Sequence, residues 1–396
     1  MVAIRGATVT FFSFSCLLCP IKVMQMDGAE FELVTRTTYL AGCSHTPAYQ
    51  GLITSLEQYK QDLIEYGNPW DSWSSKVSEV KSLFAKLIKA SPEEVAPHFS
   101  VSSAFGALLS AFDYGRRNEI VISDMEYPTS NHVVLGQEKF GANVITIKNR
   151  NYRVDPDDYR KVTGRKTRLV SAVHVSSLNG FIEDIRSIGK VAHDVNSEVY
   201  VDAYQSVGNV PIDVKKDDVD YLTAGTLKYL LGLPGLAFLY VRKELIKELE
   251  PAYIGWFSQK DPFQFGAEKL DYADTADRFQ SGTWAIPALY TSITGLKVIL
   301  KEGVPSIREK IMKLTRQAID LGMELGLRTI SPQNDQERGA MVSFVVREPH
   351  EMENMLRNEG IITSSRGIGL RIAPHFYNTP ADIEKAVKRI AELNAR

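Results

Sequence analysis

The sequence predicts an α/β fold, with a mainly parallel central sheet in a large domain and a smaller α+β domain at the C-terminus. Short, almost entirely apolar runs alternate with amphipathic segments, which is typical of strands buried between two helix layers. After about Tyr290 the pattern changes to long, charged amphipathic helices. We predict an N-terminal arm over residues 1–37, the large domain over residues 38–285 and the small domain over residues 286–396.

The elements of the large domain follow from hydrophobic periodicity. Helical spacing predicts two early helices, one marked by Leu52, Leu56, Tyr59 and Leu63, the other by Val77, Val80, Leu83, Phe84 and Leu87. Short apolar runs then predict strands over residues 119–125, 144–147, 169–175, 199–203 and 236–241. A helix-like segment over residues 185–195 separates two of these runs, so the order is strand, helix, strand.

The small domain is predicted from fewer signals. Residues 304–325 form a long amphipathic pattern, and residues 341–346 indicate a strand. The last helix begins with Thr379 as its N-cap and Pro380 at its first position, where both residue types are preferred.

Composition excludes several classes of protein. The chain has 396 residues, with 46 Lys and Arg against 48 Asp and Glu, so there is no basic excess for nucleic acid or an anionic membrane. An apolar content of 44% excludes a disordered chain. The uncharged stretch over residues 7–21 is shorter than the ~20 residues of a spanning helix and lacks a cleavage site after it. We therefore expect a disordered leader or a later start at Met24 or Met26, and a cytoplasmic protein.

The three cysteines, Cys16, Cys19 and Cys43, are too few for a disulfide framework and fit a reducing compartment. Together with His45 they suggest a zinc site as an alternative. The segment between them does not resemble a zinc ribbon, so we favour free thiols and predict no metal.

Three segments place chemically useful groups at special positions. The strand over residues 199–203 contains Asp202 near its end, at the edge where parallel sheets bind ligands. Lys228 lies among apolar residues, where loss of water lowers the pKa of an amine and makes it nucleophilic. Small residues over 102–106 open an apolar helix whose backbone N–H groups are free for a phosphate. Pyridoxal 5′-phosphate requires these three attachments: a lysine, an acid and a phosphate site.

These motifs resemble the class V aminotransferases, a fold-type I pyridoxal-phosphate family that includes cysteine desulfurases, kynureninases and isopenicillin-N-epimerase-like proteins. The resemblance covers the chain from about residue 38 and is densest over residues 174–241. It implies a Schiff base at Lys228 and pairing of Asp202 with the pyridine nitrogen. The other implied cofactor contacts are Gln205 and Ser177 at the ring hydroxyl, Tyr127 on the ring face, and Ser103, Ala104 and Thr226 at the phosphate.

The resemblance also implies a substrate site and a dimer. Thr283 matches a loop that reaches the cofactor phosphate of a partner subunit, which makes the active unit a homodimer. Arg371 matches the arginine that holds the carboxylate of an amino-acid substrate, for which a planar guanidinium is well suited. His174 ends a strand run, where it either lines the substrate pocket or is a hydrogen-bonded core residue.

The predicted activity is that of an aminotransferase on a small amino acid. A Cβ lyase or an epimerase of the same family is the alternative, and a non-catalytic regulatory protein that binds the cofactor is a weaker one. The loop over residues 362–369 contains no cysteine, and all three cysteines lie at the other end of the sequence. Because persulfide chemistry needs a thiolate in that loop, we do not expect a cysteine desulfurase.

Overall fold

The structure is a computed structural model that describes residues 31–395. The uncharged stretch over residues 7–21, Cys16 and Cys19 lie outside the described residues. Within that described range, no helix has the length and apolar character needed to span a membrane.

The predicted helices and strands occur in the predicted order, with further elements between them. The helices are α1 (Glu32–Arg36), α2 (Gln50–Tyr66), α3 (Trp70–Ile88), α4 (Val101–Leu109), α5 (Pro128–Leu135), α6 (Pro156–Val162), α7 (Ile185–His193), α8 (Lys243–Ile246), α9 (Ile286–Glu302), α10 (Val304–Glu324), α11 (Pro349–Asn358) and α12 (Pro380–Asn394). The strands are β1 (Thr38–Tyr39), β2 (Val95–His98), β3 (Glu119–Ser123), β4 (Asn143–Ile147), β5 (Thr167–Val173), β6 (Glu198–Asp202), β7 (Tyr221–Gly225), β8 (Ala237–Val241), β9 (Arg328–Thr329), β10 (Val342–Val345), β11 (Ile361–Ile362), β12 (Ser364–Arg366) and β13 (Gly369–Ile372).

The central sheet has the strand order β2-β8-β7-β6-β5-β3-β4. Strands β4, β3, β5, β6 and β7 are parallel to one another, which confirms the mainly parallel sheet. The predicted run at residues 236–241 is the exception, because β8 is antiparallel to both of its neighbours. Sequence patterns did not predict β2 or β7, and β2 contains Pro97, a residue that weakens a strand pattern.

Both faces of this sheet are buried. Along β6, Val199 and Val201 pack into one apolar core, while Tyr200 packs into the other and stacks on Phe105 of α4. Alternation of side chains along a strand explains this division. The prediction of strands buried between two helix layers is therefore confirmed.

The C-terminal part contains a small antiparallel sheet with the order β12-β13-β10-β9, and α10, α11 and α12 share its apolar core. Thr379 caps α12 by accepting from the backbone N–H of Asp382, and Pro380 is its first residue, as predicted. Beyond the predicted boundary at residue 285, α9 packs on α2 and α3 and shares the core of the central sheet. The domain boundaries stay a prediction.

The described part of the predicted N-terminal arm packs on the rest of the chain. Phe31 is fully buried, and its ring centroid lies 4.5 Å from that of Tyr377. Strand β1, which follows directly after this arm, pairs in parallel with β11. Backbone hydrogen bonds therefore join the end of the arm to the C-terminal part.

Candidate active site

A cavity of about 280 Å³ lies where β5 and β6 end, at the carboxyl edge of the parallel strands. Ligands bind at this edge in open α/β sheets. The predicted site residues that line it are Tyr127, Ser177, Asp202, Gln205, Lys228 and Arg371. The fold therefore brings these predicted residues, which are far apart in the sequence, together in one cavity.

Asp202 is the last residue of β6 and is buried. Its Oδ2 accepts a hydrogen bond from the Ser130 hydroxyl at 3.0 Å, and its Oδ1 accepts one from the Tyr204 backbone N–H at 2.9 Å. Burial raises the pKa of the Asp202 carboxyl above its usual value, while these two hydrogen bonds and the nearby Lys228 amine lower it in part. The carboxylate is thus fixed in orientation and suits a cationic partner in the cavity.

Lys228 follows β7 and also lines the cavity. Burial lowers the pKa of its amine to about 8. Electrostatic interactions with Cys43 and Asp202 raise this pKa, and the guanidinium groups of Arg371 and Arg366 lower it. Far more of the Lys228 amine is therefore neutral near physiological pH than in an exposed lysine, as a nucleophile requires.

Arg371 is buried in β13 at the border between the small sheet and the large one. Its Nη1 donates to the Ser177 carbonyl at 2.7 Å, and its Nε and Nη2 donate to the carbonyl and hydroxyl of Ser364 at 3.2 and 2.5 Å. A guanidinium has five N–H groups, so two remain, one on Nη1 and one on Nη2. Within residues 31–395 no acid forms an ion pair with Arg371, which leaves this fork for a carboxylate ligand.

The start of α4 borders the same cavity through Ser100, Val101 and Ser102. The backbone N–H of Ser103 donates to the Ser100 hydroxyl at 3.1 Å, and that of Ala104 donates to the Ser100 carbonyl at 3.0 Å. The predicted phosphate contacts of Ser103 and Ala104 stay predictions, because both amides already have partners. In the described part of the chain, the N–H groups of Val101 and Ser102 have none, and they are the ones at the cavity.

Gln205, Tyr127 and Ser177 occupy other walls. The Gln205 amide donates to the Cys43 carbonyl at 3.1 Å, while its buried Oε1 has no partner among the described atoms. The Tyr127 ring is partly exposed, and the Lys228 Nζ lies 5.6 Å from its centroid. These groups offer a polar contact and an aromatic face to a planar ligand.

Besides Ser103 and Ala104, three predicted site residues do not line the cavity. His174 is buried and does not line the cavity, although its neighbours Val173 and Val175 do. The Thr226 hydroxyl instead donates to the carbonyls of Leu233 and Leu236, at 3.0 and 3.2 Å. Thr283 is exposed. Their predicted roles at the site stay predictions.

The cavity also contains residues that the sequence did not mark. Cys43 lines it and is buried, although it lies at the opposite end of the sequence from Arg371. A thiol therefore lies in the same cavity as Lys228, although Cys43 is far from Lys228 and Arg371 in the sequence. Ser130 and Tyr204 hold Asp202, and only Tyr204 had a local signal, two residues after the acid.

A family model described as "Aminotransferase class-V" matches residues 50–388, most of the chain. The chain belongs to the class V aminotransferase family. A relative from Bacillus subtilis (strain 168), the uncharacterized aminotransferase YcbU, is 34% identical over 361 residues, covering 91% of this chain and 95% of that protein. A kynureninase from Bacillus anthracis is 28% identical over 92% of this chain and 90% of its own.

Solved structures of similar fold agree with this membership. The cysteine desulfurase of Thermococcus onnurineus NA1 has a TM-score of 0.83 at 22% identity, covering 93% of this chain and 97% of its own. A C-DES mutant with glycine covalently linked to its PLP cofactor has a TM-score of 0.86 at 20% identity, covering 93% and 100%. The fold of this class V aminotransferase family member is therefore fold type I.

Pyridoxal 5′-phosphate is the cofactor of the class V aminotransferase family, and the described residues fit it. Lys228 offers an amine for the aldehyde, and Asp202 an oriented carboxylate for the ring nitrogen. The orphaned Oε1 shows that the Gln205 amide has hydrogen-bonding capacity left. The unpartnered N–H groups of Val101 and Ser102 suit a phosphate at the start of α4.

Proposed function

We propose that this protein is a pyridoxal-phosphate-dependent aminotransferase that acts on an amino-acid substrate. One observation supports this most strongly: Lys228, Asp202 and Arg371 line the same cavity at the carboxyl edge of the sheet. The first has a lowered pKa, the second is a buried acid, and the third is a buried arginine without an acidic partner in the described chain. An amino-acid substrate needs such a carboxylate-binding group beside the reactive amine.

The residues that would hold the cofactor follow from the cavity. Lys228 would bond to it covalently as a Schiff base, Asp202 would pair with its ring nitrogen, and the start of α4 would bind its phosphate. When bound, pyridoxal phosphate supplies a carbonyl carbon that reacts with amines and a ring that withdraws electrons from the α-carbon of the substrate.

The side chains of this chain supply the remaining steps. Arg371 binds the α-carboxylate through its two free N–H groups and so fixes the α-carbon. The Lys228 amine would act as the base that takes the proton from the α-carbon of the substrate, for which a pKa of about 8 is suitable. Asp202, in its ionised form, keeps a proton on the ring nitrogen.

Two further parts of the proposal have support outside the cavity. A homodimer fits the exposed position of Thr283, in the loop that the family resemblance assigns to a partner subunit. A cytoplasmic location fits the low cysteine count and the near-neutral net charge of −2.

The decisive experiment is a single-turnover reaction. Purified protein loaded with pyridoxal phosphate is mixed with each of a panel of amino acids, without an amino acceptor. We expect the visible absorbance of the bound cofactor to fall while one equivalent of the matching oxo acid forms, identified by mass spectrometry. Pyruvate or alanine formed catalytically from a longer substrate would indicate a Cβ lyase, and a mirror-image product an epimerase; either result would exclude the aminotransferase.

Matched variants test the assignment of the lysine. Lys228→Ala should bind no cofactor covalently, as measured by intact mass after borohydride reduction. Lys385→Ala, an exposed residue of α12, should label like the unsubstituted protein. Covalent labelling that persists in Lys228→Ala would refute the proposed attachment.

A further inference from the structure

Two arginines project from the same face of the β12–β13 hairpin. In its antiparallel register Ser364 lies opposite Arg371, and Arg366 lies opposite Gly369. Arg366 and Arg371 are therefore diagonal neighbours, and the Cβ atoms of such pairs are somewhat less than about 7–8 Å apart. Both line the cavity, and Gly369 places no side chain between them.

The charges of the cavity are unbalanced. Among the described residues that line it, Asp202 is the only acid, against the three cationic side chains of Lys228, Arg366 and Arg371. The Arg366 side chain forms no ion pair or hydrogen bond with any residue in the range 31–395, and its guanidinium carbon lies 5.3 Å from the centroid of the Tyr127 ring. In the proposed function the phosphate of the cofactor would bind at the start of α4, so it would not neutralise the hairpin.

Each arginine suits a separate anion. Arg371 is held to Ser177 and Ser364 and retains two N–H groups, which match the two oxygens of one carboxylate. The Arg366 side chain has no such anchor. It lies beside the Tyr127 ring, and the Lys228 amine lies near the same ring. A second anionic group on the ligand would pair with Arg366. The hairpin would then set the distance between the two anionic groups of the ligand.

We propose that the substrate is an acidic amino acid, whose side-chain carboxylate binds Arg366 while its α-carboxylate binds Arg371. This inference rests on the proposed function, because it assigns the substrate of the same site. Arg366 is then the residue that determines side-chain specificity. Its charge-assisted contact with a carboxylate should favour the acid over the neutral amide by about tenfold or more.

The first test uses binding alone, so it does not depend on turnover. Calorimetry on the cofactor-loaded protein compares succinate, which has two carboxylates, with propionate, which has one; neither has an amine. We expect succinate to bind at least about tenfold more tightly, and Arg366→Gln to abolish that difference while propionate binding stays unchanged. Arg328→Gln, an exposed arginine of β9, is the control and should leave both affinities unchanged.

The second test compares glutamate with glutamine, and aspartate with asparagine, in the single-turnover reaction. We expect the acid of each pair to react faster, and Arg366→Gln to slow only the acids. Equal slowing of acids and amides would mean that Arg366 holds the α-carboxylate and would overturn the inference, as would equal binding of succinate and propionate. If no amino acid alters the cofactor absorbance although succinate binds selectively, the proposed activity fails and the dianion site stands.

Discussion

The lowered pKa of Lys228 predicts how fast the protein captures its cofactor at each pH. Only the neutral amine attacks an aldehyde, so the rate of covalent attachment follows the neutral fraction. With a pKa of about 8, this fraction rises with pH below 8 and levels off above it. For an ordinary lysine, with a pKa of 10.5, the rise would continue beyond pH 10.

The expected size of the effect is large. At pH 7 about one Lys228 amine in ten is neutral, against roughly one in three thousand for a lysine with the unperturbed pKa, a ratio of about 300. The physical cause is burial in the cavity, which electrostatic interactions with Cys43 and Asp202 offset in part. Attachment should therefore be fast at neutral pH and gain no more than about tenfold between pH 7 and pH 9.

The assay is rapid mixing of cofactor-free protein with excess pyridoxal phosphate, followed by the visible absorbance of the covalent product, from pH 6 to pH 10. Nα-acetyl-lysine, reacted in the same buffers, corrects for ionisation of the aldehyde itself. A protein rate that climbs in parallel with this reference up to pH 10 would refute the lowered pKa. A plateau that is unchanged in Lys228→Ala would place the reaction at another amine.

Three other substitutions have defined outcomes. Arg371→Lys keeps the charge but loses the planar fork, so steady-state kinetics should show KM for the amino acid raised about 10- to 100-fold with a smaller change in kcat. Ser130→Ala removes a hydroxyl that donates to the buried carboxylate at the end of β6; the pKa of that carboxylate should rise, and turnover should slow about tenfold while covalent attachment persists. Gly369→Ala would push a Cβ into the Ser343 hydroxyl and should lower the free energy of unfolding by about 1–3 kcal/mol, whereas at Gly136 no atom lies within 4 Å and alanine should be tolerated. Chemical denaturation checks this pair, and equal losses in both variants would contradict the packing argument.

Local patterns were sufficient to predict the parts of the site that depend on one segment. Asp202 follows a run of apolar strand residues, and Lys228 is set among apolar neighbours, so both stand out without knowledge of the fold. The same applies to Thr379, where capping is decided within three residues. Four of the parallel strands, β3, β4, β5 and β6, could be predicted for the same reason, because strands buried on both faces are continuously apolar, whereas β7 was not predicted.

Features that depend on spatial neighbours were not predictable in this way. The direction of β8 is set by its pairing with β7, and an apolar run contains no information about direction. Cys43 reaches the cavity only because the fold brings the segment after β1 back to Lys228. His174 was predicted from its position after an apolar run, and that position does not indicate whether the side chain reaches the cavity.

The contacts of Arg371 limit how substrate choice can change in this protein. Its guanidinium donates to Ser364 within the small sheet and to the Ser177 carbonyl in the segment that follows β5. A substitution there would therefore weaken this contact between the two sheets as well as the binding of a ligand. The Arg366 side chain makes no hydrogen bond of this kind between described parts of the fold, and it lies beside the Tyr127 ring. A designer seeking a new side-chain preference should therefore vary position 366 and leave position 371 intact, because only the former can be exchanged without also weakening the architecture.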